Sequence, residues 1–159
     1  MTAPRFLMPG EYLFGQHPEP VVTLLGSCVA VVLWHPRRRL LAVSHFVVPG
    51  GAFEQDDTRS GEAVFVRLQQ DMARHRTAPG EYRKGLYGGG SCLQPGRHGT
   101  VQIGRMNIAF AREQFALLGW SADEQDLGGL GYRRLTADGR DGRLICQSFT
   151  PPQLLEGTA

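Results

Sequence analysis

The chain lacks most of the features that would place it at a membrane, on nucleic acid or in a disulfide framework. Its longest apolar run, residues 29–34, is far short of the ~18 residues a membrane helix needs. No basic segment followed by a sustained apolar stretch opens the sequence. A cytoplasmic protein without membrane insertion is the expectation. The formal net charge is only +2, and no long basic run is interleaved with aromatic residues. Phosphate neutralisation needs clustered Lys and Arg, so no nucleic-acid partner is expected. The densest basic spot, Arg37, Arg38 and Arg39, reads as a solvated loop. Three cysteines, Cys28, Cys92 and Cys146, make an odd, widely spaced set that fits a reducing compartment. There is no Cys-x-x-Cys, no internal repeat and no low-complexity tract. Ser27 lacks the Gly-x-Ser-x-Gly elbow of an esterase nucleophile.

What is present suits one ordinary domain. The 159 residues give enough length for a core and too little for two typical domains, so a single domain over residues 1–159 is expected. Short β runs are predicted at 11–14 and 21–25, with a breaker-rich segment between them. Two longer runs, 28–34 and 40–48, flank a turn at 35–39, and residues 54–61 read as a loop. At 62–75 the period changes: Val64, Leu68 and Met72 recur every four residues with Phe65 alongside, which predicts an amphipathic helix. A strand at 81–87 leads into Gly88, Gly89 and Gly90. A second helix is predicted from Asn107, as its N-cap, to Gly119 as its C′ residue. Strands at 132–136 and 144–149 close the chain as a hairpin. Hairpins outnumber βαβ units, so the fold class is a layered α/β or α+β sandwich: a largely antiparallel or mixed sheet with two main helices against it.

The chemistry concentrates on Cys28 and His45. A thiolate is a nucleophile where a thiol is not, and a histidine within reach is the usual means of generating one near neutral pH. The facing of the pair depends on the turn between the strands. A two-residue turn at Pro36 and Arg37 sets Cys28 directly opposite His45. A four-residue turn, residues 36–39, sets His45 opposite Ala30 and makes Cys28 a diagonal neighbour. Direct pairs have Cβ atoms ~5 Å apart and diagonal ones ~7–8 Å, both within reach of an imidazole. A three-residue turn puts the two on opposite faces. The Pro-Arg-Arg-Arg segment favours the diagonal arrangement. Gly26 and Ser27, just before the cysteine, allow a sharp backbone turn whose N–H groups can point at a developing oxyanion. The plainer reading is a small buried cysteine and a satisfied core histidine.

Leu25-Gly26-Ser27-Cys28-Val29, with Thr23 upstream and Ser44-His45-Phe46-Val47-Val48-Pro49 downstream, resembles the signature of the CheD family, the chemoreceptor glutamine deamidases. Tyr87 with Gly88, Gly89 and Gly90 resembles that family's glycine segment. Ile103-Gly104 with Asn107 is similar to its Ile-Gly-x-x-Asn motif, and Asp126, Gly128, Gly129 and Arg133 to its Asp-x-Gly-Gly followed by Arg. The departures are Cys92, Met106 and Tyr132. The resemblance implies an α/β sandwich similar to the cytotoxic necrotizing factor deamidases, with Cys28 as nucleophile, His45 as base and Thr23 orienting the imidazole. Gly26 and Ser27 would border the oxyanion. The implied reaction is hydrolysis of receptor glutamine side chains to glutamate, with release of ammonia through a cysteine thioester, and no metal or other cofactor.

The implied partners are the cytoplasmic helical region of methyl-accepting chemoreceptors and a CheC-type phosphatase. The alternative is a regulator that docks on receptor or phosphatase with deamidation weak or lost. A metal site built from Cys92 and His98 with Cys28 or His45 has no usual zinc spacing. His17, His35, His75 and His98 read as surface residues.

Overall fold

The computed structural model describes residues 3–91 and 99–150. Nine strands and two α-helices occur among them, in the order β1 (Arg5–Phe6), β2 (Tyr12–Gly15), β3 (Val21–Leu25), β4 (Val29–His35), β5 (Leu40–Ser44), α1 (Gly61–Arg74), β6 (Arg83–Gly88), α2 (Gly99–Leu118), β7 (Glu124–Leu127), β8 (Tyr132–Ala137) and β9 (Leu144–Phe149). The strands form two sheets, ordered β1-β3-β8-β9 and β2-β5-β4-β6-β7. Among these strands only the β1–β3 and β6–β7 pairings are parallel. The expected α+β layering with two helices and mixed strand pairing is therefore present, the strands being divided between two sheets where one was expected.

Two buried clusters hold the layers together. One joins Val29, Val31, Leu33 and Ala42 of the five-stranded sheet to Val64, Phe65, Leu68 and Met72 of α1 and Ala111 and Phe115 of α2. The other fills the space between the sheets, with Ala30, Val32, Leu41 and Val43 against Val21, Leu25, Leu135 and Ala137. Successive β4 side chains thus enter different cores. That explains why 29–34 is a continuous apolar run rather than an alternating one.

Helix α1 starts where Ser60 accepts a hydrogen bond from the Ala63 N–H and Glu62 sits in the first turn. Its stripe of Val64, Leu68 and Met72 is buried as the spacing predicts. Helix α2 ends as expected at Gly119 (φ +72°), with Gly119 N bonded to Ala116 O and Trp120 N to Phe115 O. Its start is different. Asn107 is not an N-cap but lies in the middle of a helix that runs from Gly99.

The β4–β5 hairpin pairs His35 with Leu40, so residues 36–39 form a four-residue turn with Arg39 in the left-handed region (φ +51°). Arg37, Arg38 and Arg39 are exposed, as a solvated loop should be. His35 is not a surface residue: it is only 2 % exposed. Its Nδ1 accepts from the Arg38 N–H at 3.0 Å, which leaves Nε2–H to donate to Glu81 at 3.2 Å. His17 and His75 are half-buried, and His98 lies outside the described residues.

The 40–48 run stops pairing regularly at Ser44, whose Oγ accepts from the Val31 N–H at 3.0 Å in place of a ladder bond. Pairing resumes in the same register at Val29 and Phe46. Strands β1 and β7 carried no sequence signal; β1 has two residues and β7 is a polar edge strand.

Candidate active site

Three candidate residues come to the space between the sheets from different elements. Cys28 sits just before β4 and packs against the inter-sheet cluster while keeping part of its surface open. The Val29–Phe46 bridge keeps the hairpin register, so His45 falls opposite Ala30, with Cys28 diagonal to it on the same face. The four-residue turn thus delivers the diagonal arrangement. No hydrogen bond joins Cys28 Sγ to the ring among the described residues; such contacts often tighten only once substrate is bound. His45 is 1 % exposed, whereas Cys28 is partly exposed.

Thr23 comes from the opposite sheet. Its Oγ1 lies 2.6 Å from His45 Nδ1 and 2.8 Å from the Leu7 carbonyl oxygen. A hydroxyl has one proton, and a carbonyl can only accept, so that proton goes to Leu7. Toward His45 the oxygen must therefore accept. Nδ1 carries the ring proton, and Nε2 keeps a free lone pair, the form a general base requires. Burial lowers the His45 pKa to about 4, with Glu11 pulling the other way, and burial raises that of Cys28. At neutral pH the pair is an uncharged thiol and an uncharged imidazole.

The loop before Cys28 is held by its carbonyls. Gly26 O accepts from Gly90 N at 2.8 Å, and Cys28 O from Gly89 N at 2.8 Å. Ser27 O accepts from Asn107 Nδ2 at 3.0 Å. Among the described residues, the N–H groups of Ser27 and Cys28 have no acceptor in the protein. The glycines are steric necessities: a Cβ on Gly88 (φ +110°) would lie 2.2 Å from Cys28 O, and one on Gly104 2.6 Å from Gly89 O. Arg133, buried between the sheets, donates to Gly88 O at 3.3 Å, to Asp126 at 3.1 Å and to Gly128 O.

The motifs scattered along the chain thus converge on one loop. Glycines 88–90, Gly104, Asn107 and Arg133 all brace the backbone around Cys28. A family described as CheD chemotactic sensory transduction matches residues 49–148, a span that starts just past His45 and contains all of these bracing residues. The Probable chemoreceptor glutamine deamidase CheD 3 of Dechloromonas aromatica (strain RCB) is 36% identical over 139 residues, covering 84% of this chain and 80% of that protein. The chain belongs to the CheD family. A second CheD relative, the Probable chemoreceptor glutamine deamidase CheD of Pseudomonas syringae pv. syringae (strain B728a), is 35% identical over 87% of this chain and 80% of its own length. The protein of the same name from Methanococcus maripaludis is 26% identical over 87% of this chain and 91% of its own.

Within this CheD chain Cys146 has surroundings different from those of Cys28. Cys146 Sγ is 3.5 Å from Asp126 Oδ2, and burial with that carboxylate pushes its pKa up to about 11. Cys92, and with it the Cys92–His98 metal reading, lies outside the described residues. Among the described residues, no three His, Cys, Asp or Glu side chains are grouped to hold a metal. Nor is any helix among them long and apolar enough to cross a membrane. Asn107 donates to two carbonyls from inside α2 and is not the N-cap that its sequence position suggests. The available signal was a polar residue three positions after Gly104, on a helix otherwise patterned by Ile108, Ala111 and Phe115.

Proposed function

We propose that this CheD chain, as a single deamidase domain over residues 1–159, hydrolyses glutamine side chains of methyl-accepting chemoreceptors to glutamate. The observation that carries the reading is the Thr23–His45 hydrogen bond, which leaves Nε2 free on the face of the sheet that Cys28 shares. Membership of a family whose relatives are named chemoreceptor glutamine deamidases supplies the substrate class.

In this reading Cys28 Sγ attacks the carboxamide carbon as its proton passes to His45 Nε2. A C–S bond forms, and the carbonyl becomes an oxyanion facing the N–H groups of Ser27 and Cys28, beside Gly26. His45 returns the proton to the nitrogen as the C–N bond breaks, and ammonia leaves a thioester. Water then attacks, giving a proton to the same Nε2, and the glutamate product departs as that proton returns to sulfur. The chain's own groups complete each proton transfer, so the chemistry calls for no cofactor.

The proposed substrate is the cytoplasmic helical region of the receptor, where a new carboxylate alters helix packing and so biases a signalling equilibrium. A CheC-type phosphatase is the proposed second partner. The layered sheets and helices are compatible with a fold similar to the cytotoxic necrotizing factor deamidases. The test is mass spectrometry of a receptor cytoplasmic fragment incubated with the protein, with ammonia release followed in parallel. Glutamine-to-glutamate conversion by the unsubstituted chain and none by Cys28→Ala is the expected result. Full activity in that variant rejects the reading. Receptor binding without any conversion would favour the docking regulator.

A further inference from the structure

The structure assigns Asn107 as a positioning residue that aims the Cys28 backbone N–H into the active site. The inference rests on the deamidase reading and adds to it the residue that builds the oxyanion site. Asn107 is completely buried within α2, and both of its amide hydrogens are engaged. Nδ2 donates to Ser27 O at 3.0 Å and to Val47 O at 2.9 Å. These two carbonyls lie on the two chain segments that part beyond the Val29–Phe46 bridge, one beside Cys28 and one past His45. The amide sits between the diverging segments and satisfies an acceptor on each.

The consequence follows from peptide geometry. Ser27 C=O and Cys28 N–H belong to one planar unit, and no cis bond occurs among the described residues. In a trans peptide the two groups point in opposite directions. With Ser27 O drawn toward α2, the Cys28 N–H is turned away from the helix layer. That is the side on which the Cys28 side chain packs, against the inter-sheet cluster. The neighbouring peptide is fixed in the same manner, by Gly90 N on Gly26 O, but there the donor is backbone. Among the described residues, Asn107 is the side-chain donor to the carbonyls of residues 26–28, Arg133 acting one step away on Gly88 O. Its own Oδ1 is buried without a partner among the described residues, so the donors and not the acceptor define its orientation.

The experiment compares two reactions of Cys28 in the full chain and in Asn107→Ala. Attack on a receptor glutamine builds an oxyanion; displacement of iodide from iodoacetamide does not. Asn107→Ala is expected to lower kcat for deamidation about 100-fold, the order seen when an oxyanion donor is lost, with KM little changed. Its alkylation rate should stay near that of the unsubstituted chain. Retention of full kcat overturns the inference. Equal loss of both reactions, as general loosening of the loop would produce, overturns it as well.

A second measurement does not depend on how well the variant folds. A peptide carrying the aldehyde analogue of glutamine should form a hemithioacetal with Cys28 in the unsubstituted protein. The Cys28 amide proton is then expected to move downfield in the nitrogen–proton correlation spectrum. An unmoved Cys28 amide in the formed adduct overturns the proposal. Absence of deamidation by the unsubstituted chain would sink the deamidase reading, and the adduct would still decide whether this N–H faces the sulfur's reaction partner.

Discussion

Thr23 Oγ1 accepts the Nδ1 proton of His45 at 2.6 Å while giving its own proton to Leu7 O at 2.8 Å. One hydroxyl therefore links the two sheets and selects the imidazole tautomer. Thr23→Val keeps the shape and removes the acceptor. It should lower kcat about 10–100-fold, part of the about 10²–10⁴ that a positioned base supplies. Thr23→Ser should retain most activity. Steady-state kinetics with a receptor fragment, together with the nitrogen shifts of the His45 ring, would check both expectations.

Burial of His45 predicts an acid limb displaced from that of ordinary histidine. The His45 imidazole, the proposed base, is already neutral well below pH 6.5, because its pKa is lowered to about 4. The kcat/KM profile should hold its value on acidification until pH approaches 4, provided the fold persists. An acid limb centred near 6.5 would contradict a buried, neutral base.

The same burial makes the fold acid-sensitive. In the unfolded chain His45 takes up a proton below its ordinary pKa, and in the folded chain it does so only near 4. Stability is therefore full above about pH 6.5 and falls as pH drops through that window, by about 3 kcal/mol for this group. Denaturant unfolding at pH 7 and pH 4.5 should show a smaller difference in His45→Gln than in the unsubstituted chain.

Gly104→Ala should destabilise the protein even though alanine favours helix. The propensity gain is about 1 kcal/mol at most. A Cβ there would stand 2.6 Å from Gly89 O and 2.8 Å from Gly90 O, both backbone atoms, so α2 or the glycine segment must move. Such overpacking costs about 1–3 kcal/mol. The measurable outcome is a lower Tm together with reduced deamidation, because glycines 89 and 90 hold the carbonyls of Cys28 and Gly26.

Cys28→Ala and Cys146→Ser separate the proposed nucleophile from a bystander thiol. Both thiols are partly open, and burial raises the pKa of each. What separates them is that Cys28 shares a face with His45, whereas Cys146 lies beside the Asp126 carboxylate, which helps push its pKa up to about 11. Cys28→Ala should abolish ammonia release with little change in Tm. Cys146→Ser should leave most of the activity in place. Iodoacetamide labelling at neutral pH, located by peptide mapping, should favour Cys28 over Cys146.

Local pattern was enough for much of this protein. The four-residue spacing of Val64, Leu68 and Met72 encodes α1 and its buried face. The Pro-Arg-Arg-Arg turn, with strand alternation on either side, carries Cys28 and His45 to one side of the hairpin, since facing within a hairpin depends only on loop length and a period of two. Tertiary structure decided the rest. Thr23 reaches His45 because one sheet stacks on the other, a pairing that alternation along β3 cannot express. His35 became a core residue only once Glu81 and the Arg38 N–H gathered around it. Asn107 looked like a helix start because Asn is a good cap, and its actual neighbours, Ser27 and Val47, lie 80 and 60 positions away in sequence. Periodicity reports which way a side chain points within its own element. What it meets there is set by how the layers pack, and that is a property of the folded chain as a whole.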